Sequence, residues 1–316
     1  MKVLLLGALS TGKIALETLH AHGGFEVMFM GHNRVDASDF TDVFDTAKSY
    51  GYEMVCLGQG NGGRPDVAIA PGGINGSQGL HYARVFAENF APDIGICMGW
   101  SDLIKSGMLQ VPRLGWIGHH ESLLPKRRGR APIPWPIILG AKETGISFFW
   151  LTEGVDDGDI FAQRAVPIGD DDYAQDLLDK TNEATRALLT EEVLPALARG
   201  ETPRTPQNHA EATYTHRRTP DMGLLDFNKP ADEVCRLIRG VSHPYPGAFV
   251  YNRLRRVTIW RATPIGTIFD SMKHWQPGKV FKFEGRLSVM CGGQSFFFLE
   301  EYTGHVEVGD RLGCWE

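Results

Sequence analysis

The 316-residue chain has little cysteine and no pairing pattern for what it has. Its five cysteines, Cys56, Cys97, Cys235, Cys291 and Cys314, are odd in number and scattered, with no CxxC pair. HxxxH pairs are missing too. Neither a disulfide framework nor a zinc site is therefore expected, and a reduced, cytoplasmic protein is. Apolar runs fall far short of a membrane span. The opening "MKVLLLGAL" is too short for a signal h-region with a cleavage site and reads as a strand running into a turn. Surplus positive charge is also missing: the net charge is −6, whereas nucleic-acid binding needs a basic footprint. The imbalance is uneven. Residues 217–316 hold 14 Lys and Arg against 11 Asp and Glu, a net of +3, which leaves −9 for the remainder. A mildly basic C-terminal third suits a small anionic ligand better than a long polyanion. Repeats and low-complexity tails are absent.

What is present is an alternating pattern. "KVLLLGA", "FEVMFMG" and "EMVCLG" are short apolar strands ended by glycine, separated by helical stretches "TGKIALETLHAHG" and "DFTDVFDTAKSYGY". A β-α-β-α-β opening predicts an open, mainly parallel twisted sheet with helices on both faces, an α/β Rossmann-like class. The stretch 58–79, with eight glycines, is expected to be a loop. Helix 80–92, strand 93–100, helix 101–112 and strand 114–120 continue the pattern. "PIPWPIILGA" reads as a helix, "ETGISFFWL" as a strand, "TEGVDDGDI" as a turn, "FAQRAVPIGDDD" as a return strand and residues 173–200 as one long amphipathic helix. Residues 1–200 thus read as one α/β domain. Residues 201–229, rich in proline and polar side chains, read as a linker. Residues 230–316, one helix and several short strands with Gly-rich turns, read as a small β-rich, barrel-like domain.

Three stretches carry candidate chemistry. "GALSTGKI", residues 7–14, imitates a phosphate-binding P-loop, but Ile14 stands where a Ser or Thr would hold magnesium, so a tight turn with a solvated lysine is expected. "WIGHHESLLPKRRGRAPIPW", residues 116–135, begins at the carboxyl end of a strand, where open parallel sheets bind ligands. Alternation along an extended strand sends only one of His119 and His120 into the crevice. Lys126, Arg127, Arg128 and Arg130 follow in a loop stiffened by Pro125 and Pro132, and suit phosphate or carboxylate. "GVDDGD" places Asp156, Asp157 and Asp159 at the next strand's end, where a carboxylate could orient a neighbouring histidine.

Together, "SLLPKRRGRAPIPWPIILGAKETGISFFWLTEGVDDGDIFAQ" resembles the folate-dependent formyltransferase family, whose pattern is Asn-x-His, Ser-Leu-Leu-Pro, Arg-Gly, Ala-Pro, then Thr-Gly and Asp-x-Gly. "HRRTPDMGLLDFNKPADEVCRLIRGVSHPYPGAF" resembles the start of the C-terminal domain of methionyl-tRNA and amino-sugar-nucleotide formyltransferases, and "PKRRGRAPIPW" is most similar to the branch acting on UDP-4-amino-4-deoxyarabinose. The resemblance implies 10-formyltetrahydrofolate as donor, no metal, and the primary amine of a small nucleotide-linked amino sugar as acceptor. Lipopolysaccharide or glycan synthesis would be the setting, with no membrane or nucleic-acid partner and homodimerisation left open. It implies His120 and Asp156 as catalytic residues. It implies Met98, Gly99, Trp100, Thr152, Gly154 and Val155 at the folate, and Ser122, Lys126, Arg128, Gly129 and Arg130 at the acceptor.

The family asparagine falls on Gly118, and Glu121 follows the histidine where the family has Pro or Gly. The asparagine would donate to the oxyanion of the tetrahedral intermediate; losing such a donor typically costs about 10² or more in rate. Either a water in the space left by Gly118 or protonated His120 is expected to take over. Two other functions share these features: a methionyl-tRNA formyltransferase, disfavoured by the charge, and a folate- or nucleotide-binding module with altered or lost activity, suggested by Gly118.

Overall fold

The computed structural model describes residues 1–31, 42–57, 68–70, 77–100, 103–266 and 270–313. Cys314 and most of the glycine-rich stretch lie outside them. By internal contacts the chain divides into a first unit, residues 1–129, 144–166 and 180–214, and a second unit, residues 130–143, 167–179 and 215–316.

The first unit opens with β1 (Lys2–Gly7), α1 (Leu9–His22), β2 (Glu26–Gly31), α2 (Val43–Ser49), β3 (Glu53–Leu57), β4 (Ala68–Ala70), α3 (Ser77–Phe90), β5 (Ile94–Met98), α4 (Ser106–Leu109) and β6 (Trp116–His120). After β7 (Arg128–Gly129) and α5 (Pro134–Ile138) come β8 (Glu143–Trp150) and β9 (Ile160–Pro167). Eight strands form one sheet in the order β4-β3-β2-β1-β5-β6-β8-β9. Neighbours from β4 to β6 run parallel, and β8 is antiparallel to β6. The β4 strand sits inside the stretch expected to be loop throughout. Its small apolar residues suffice to pair with Val55–Leu57.

Alternation sorts the side chains. Leu4, Leu6, Met28, Met30, Val55 and Leu57 pack with Ala83, Ala87 and Phe90 of α3. The other face buries Val3, Leu5 and Phe29, with Phe29 edge-on to Phe44 of α2 at 5.2 Å. Gly23 and Gly24, at φ +68° and +75°, end α1 in the left-handed region that suits glycine. The sheet's order reverses direction between β1 and β5, and the carboxyl ends of these strands meet: Ala8 N–H donates to Met98 O at 3.1 Å. In the P-loop imitation, Lys13 lies 3.9 Å from Glu17, consistent with an exposed ion pair.

Two helices are shorter than their patterns predict. The described part of 101–112 is helical only over Ser106–Leu109, bounded by Pro112. In α5, Pro134 and Pro136 occupy the first turn, where missing N–H groups cost nothing, and Gly140 at φ +69° stops the helix. The long helix is α6 (Ala174–Leu188), a π turn at Leu189–Val193, and α7 (Leu194–Ala198). Pro195 explains the interruption: it cannot donate the amide that an unbroken α-helix would use.

After β10 (Tyr214–Thr215), at the boundary, the second unit holds α8 (Ala231–Val241), β11 (Ala248–Asn252), β12 (Arg255–Ile265), β13 (Val280–Phe283), β14 (Arg286–Cys291) and β15 (Ser295–Thr303). The last five make an antiparallel sheet in the order β11-β12-β15-β14-β13. Residues 309–313 join its two edges: Val280 N–H donates to Asp310 O at 2.8 Å and Gly313 N–H to Tyr251 O at 2.8 Å. One face packs on α8 through Val234, Cys235, Ile238 and Val241; the other buries Phe281, Phe296 and Phe298.

Gly99 marks where the sheet edge is tightest. At φ +67°, a Cβ there would sit 2.0 Å from Ala8 O and 2.7 Å from Thr11 Oγ1. Gly99→Ala should therefore cost the first unit at least ~2 kcal/mol, backbone strain and overlap combined, and lower its unfolding midpoint in denaturant. An unchanged midpoint would show that β1 and β5 do not approach this closely.

His119, by contrast, points away from the crevice. Its ring packs on Phe148 at 5.3 Å, and Nε2 lies 2.9 Å from Thr185 Oγ1 of α6. Burial holds the imidazole below its ordinary value; Glu121 opposes this and His120 adds to it. The unfolded chain then takes up a proton that the folded chain refuses. The stability tied to this residue is present above about pH 6.5 and falls by up to ~1.4 kcal/mol per pH unit below it. Chemical denaturation between about pH 4.5 and 7.5 should show that slope. His119→Gln, which can still meet Thr185, should flatten it; equal slopes would contradict the account.

Candidate active site

His120 ends β6, and Asp156 sits in the turn between β8 and β9, the strand beyond it. Only 6% of the histidine is exposed. Its Nε2 is 2.8 Å from the carbonyl oxygen of Arg127. A carbonyl only accepts, so Nε2 carries the hydrogen, and in the neutral ring Nδ1 keeps its lone pair. Nδ1 faces Asp156 Oδ2 across 3.8 Å, too long for a hydrogen bond. The carboxylate thus lies beside the histidine, and the hydrogen bond that holds the ring is the one to the Arg127 carbonyl. Asp156 Oδ2 accepts the Gly129 N–H at 2.7 Å, and the residue adopts φ +50°, a conformation costly for a non-glycine residue.

Among the expected acceptor-binding residues, two face inward. Ser122 is fully buried: its hydroxyl donates to Lys126 O at 2.8 Å, and its carbonyl accepts from Ser147 Oγ at 2.6 Å. Arg128, expected to hold anions, is 2% exposed. Its guanidinium donates to Gln207 Oε1 from Nη2 at 2.7 Å and from Nε at 3.2 Å. It also donates to the Tyr214 hydroxyl at 3.0 Å and to His209 Nδ1 at 3.2 Å. Each of the two thus braces the loop from within the protein. Gly129 contributes its amide to Asp156. Lys126 is exposed and remains available to an anion. Arg130 is exposed and belongs to the second unit, where its N–H donates to Thr215 O at 3.0 Å.

The expected folate residues form two backbone-lined edges. Met98 is 1% exposed, and Gly99 lets the chain turn against Ala8; Trp100 follows, packed against the apolar cluster of β1 to β5. In the other edge, the Thr152 hydroxyl donates to Asp157 Oδ1 and accepts the Gly154 N–H at 3.1 Å, so the turn is braced from within. Gly154 leaves no room for a side chain, since a Cβ would lie 2.0 Å from Asp157 Oδ2, while Val155 is 42% exposed. A cleft of about 510 Å3 opens beside this turn, lined by Leu151, Thr152, Gly154, Asp157, Arg204 and His209. Neither His120 nor Asp156 lines it.

The space over Gly118 is neither open nor polar. A Cβ there would lie 2.4 Å from Leu151 Cδ2 and 3.1 Å from the Phe149 ring. Cys97 pairs with Gly118 across β5 and β6. Burial pushes its thiol up, with the Asp156 charge adding to the shift. A water in place of the family's asparagine, one of the two expectations, is thus displaced by a leucine tip. Among the described residues no cluster of His, Cys, Asp and Glu could hold a metal ion.

No sequence pattern marks Gln207, His209 or Tyr214. They lie in the stretch read as linker, but residues 201–214 fold into the first unit: Thr205 and Ile160 exchange backbone hydrogen bonds of 2.8 and 2.9 Å, and Trp150 Nε1 donates to Pro203 O at 2.8 Å. The only available signal was chemical. An arginine destined for burial needs partners, and "PQNHAEATY" is a stretch that offers them.

Similar solved structures share this fold. The sugar 3N-formyl transferase WlaRD, crystallised with dTDP and 5-N-formyl-THF, superposes with a TM-score of 0.65 at 15% identity, over 94% of this chain and 96% of that one. An N-formyltransferase from Helicobacter canadensis, in complex with folinic acid and dTDP-3-aminofucose, gives 0.66 at 15%, over 95% and 99%. HypX from Aquifex aeolicus, with tetrahydrofolic acid, gives 0.60 at 17%, over 94% of this chain but 43% of that one. Two family models match the sequence itself: formyl transferase over residues 79–193, which hold His120 and Asp156, and formyl transferase, C-terminal domain, over residues 217–303. With more than half of its length matched, the chain belongs to the formyl transferase family.

Proposed function

We propose that the chain transfers a formyl group from 10-formyltetrahydrofolate to the primary amine of a nucleotide-linked amino sugar. The observation that carries this reading is the juxtaposition of His120 and Asp156 at the carboxyl edge of the sheet, with Nδ1 facing the carboxylate across 3.8 Å. The family membership supplies the group transferred. The solved relatives with folate derivatives and dTDP-linked ligands support the donor and the acceptor class. No helix among the described residues is long and apolar enough to cross a membrane. We place the reaction in the cytoplasm, upstream of sugar transfer into lipopolysaccharide or another glycan.

In this mechanism the acceptor nitrogen attacks the formyl carbon, forming the new C–N bond. His120 Nδ1 takes the ammonium proton, and the imidazolium so formed is stabilised by the adjacent Asp156 carboxylate. The tetrahedral centre collapses with cleavage of the bond to the folate nitrogen, which receives the proton. The products are a formamide and tetrahydrofolate. Exposed Lys126 is placed to meet an anionic part of either substrate.

Incubation with 10-formyltetrahydrofolate and a panel of nucleotide-linked amino sugars, read by product mass, tests the assignment; no added formyl on any acceptor would sink it. On the correct acceptor, His120→Ala and Asp156→Asn should each reduce kcat by ~10²-fold or more, with the fold retained. Near-normal turnover by either variant would remove that residue from the mechanism.

A second reading, altered or lost activity, is favoured by the leucine over Gly118. The two readings separate on one pair of variants. Gly118→Asn alone should overpack against Leu151 and cost ~1–3 kcal/mol of stability. Combined with Leu151→Ala it should regain stability and supply a donor worth ~10²-fold in kcat. A double variant no faster than the wild type would mean that His120 already suffices. An inactive wild type beside an active double variant would identify a chain that has lost this chemistry.

A further inference from the structure

Gln207 is uncharged and has no chemistry of its own, yet its amide is fully used. Nε2 donates to Asp156 O at 2.9 Å and to Gly158 O at 2.6 Å, while Oε1 accepts twice from Arg128. The side chain is 6% exposed. This network fixes the amide's orientation, because the reverse would set N–H groups against a guanidinium and an oxygen against two carbonyls.

The partners matter more than the count. Arg128, held by Oε1, stands between the two backbone groups that touch the reacting pair. The preceding carbonyl, of Arg127, accepts from His120 Nε2, and the following amide, of Gly129, donates to Asp156 Oδ2. Nε2 of Gln207 meanwhile grips the main chain of Asp156 itself. One amide thus closes a ring through Asp156, Gly129 and Arg128, with His120 attached at Arg127. Asp156 adopts φ +50°, a sparsely populated conformation that aspartate tolerates better than most residues, and these contacts hold it there.

We infer that Gln207 is a positioning residue: acting through Asp156 and Arg128, it sets the separation and mutual orientation of the imidazole and the carboxylate. The inference rests on the assignment of His120 and Asp156 as the reacting pair. Displacements of about 1 Å around a reacting centre can cost ~10²-fold in rate while leaving binding intact.

The test is Gln207→Glu. It preserves volume and an acceptor for Arg128, but turns both donors into an acceptor facing two carbonyls. Expected is a fall in kcat of ~10²-fold, with KM for donor and amine within about twofold of wild type. In an Asp156→Asn background the same change should cost less than about threefold more, because the two residues act in one chain of contacts. A readout independent of turnover is hydrogen exchange at the Gly129 amide, which should accelerate by more than about tenfold while the amides of β1 and β5 keep their protection. That measurement decides the inference even if no acceptor is ever formylated. Unchanged kcat, unchanged Gly129 exchange, or a full additive loss on top of Asp156→Asn would each overturn it. If Gln207→Glu does not fold, Gln207→Asn, with the same groups on a shorter stem, is measured the same way. Failure of both to fold would make Gln207 a core residue and overturn the positioning role.

Discussion

A guanidinium buried to 2% exposure is the fixed point of this site. Taking an arginine out of water costs several kcal/mol unless its donors are met. Here they are met by Gln207, His209 and Tyr214, the last also lying 5.8 Å from the guanidinium carbon, ring centre to atom. Moving the 127–129 segment would break these bonds, and the two to Gln207 are buried, where a lost partner is expensive. The segment is therefore stiff, and its stiffness is passed on. One peptide group holds the tautomer of His120; the next fixes one carboxylate oxygen of Asp156. The arginine that the motif displays as a ligand contact serves as the anchor for two residues on either side of the crevice.

That inversion shows what was legible in the sequence. The strands of the first sheet were, because short apolar runs ended by glycine have few other solutions. His120 could be singled out because alternation and the sheet's carboxyl edge act on backbone geometry alone. The inward partners of Ser122 and Arg128 were not legible, because a polar residue in a loop looks the same in sequence whether it faces a ligand or the protein. Gln207 was invisible for a related reason. Periodicity reports the burial of apolar residues; it is silent on a buried amide whose partners are 79 and 51 residues away. The β4 strand and the π turn before Pro195 were missed because each depends on a neighbour's hydrogen bonds more than on its own composition.

Gly118 shows a further limit. A glycine in sequence declares a missing side chain, not what fills the space. Leu151 occupies it, joining Phe149 on one side to the cluster containing Cys97 on the other. The exchange replaces a hydrogen-bond donor by hydrocarbon and lowers the local polarity at the carboxyl end of β6. Low polarity strengthens what charges remain, so His120 and Asp156 interact across their 3.8 Å gap more than they would in water.

The order of events in formyl transfer follows from that electrostatic setting. The Asp156 charge reaches as far as Cys97, whose thiol it disfavours ionising, and Cys97 stands beside Gly118. An oxyanion forming on the Gly118 side would meet a negative field and an apolar wall. Negative charge there is tolerable only with positive charge beside it, which the imidazolium of His120 would supply in the proposed mechanism. In the proposed mechanism the attacking nitrogen becomes an ammonium, the oxyanion's first counter-charge, and proton transfer to Nδ1 then hands that charge to the imidazolium. With a leucine where the family has an asparagine donor, His120 would in that mechanism serve as base, acid and electrostatic stabiliser at once.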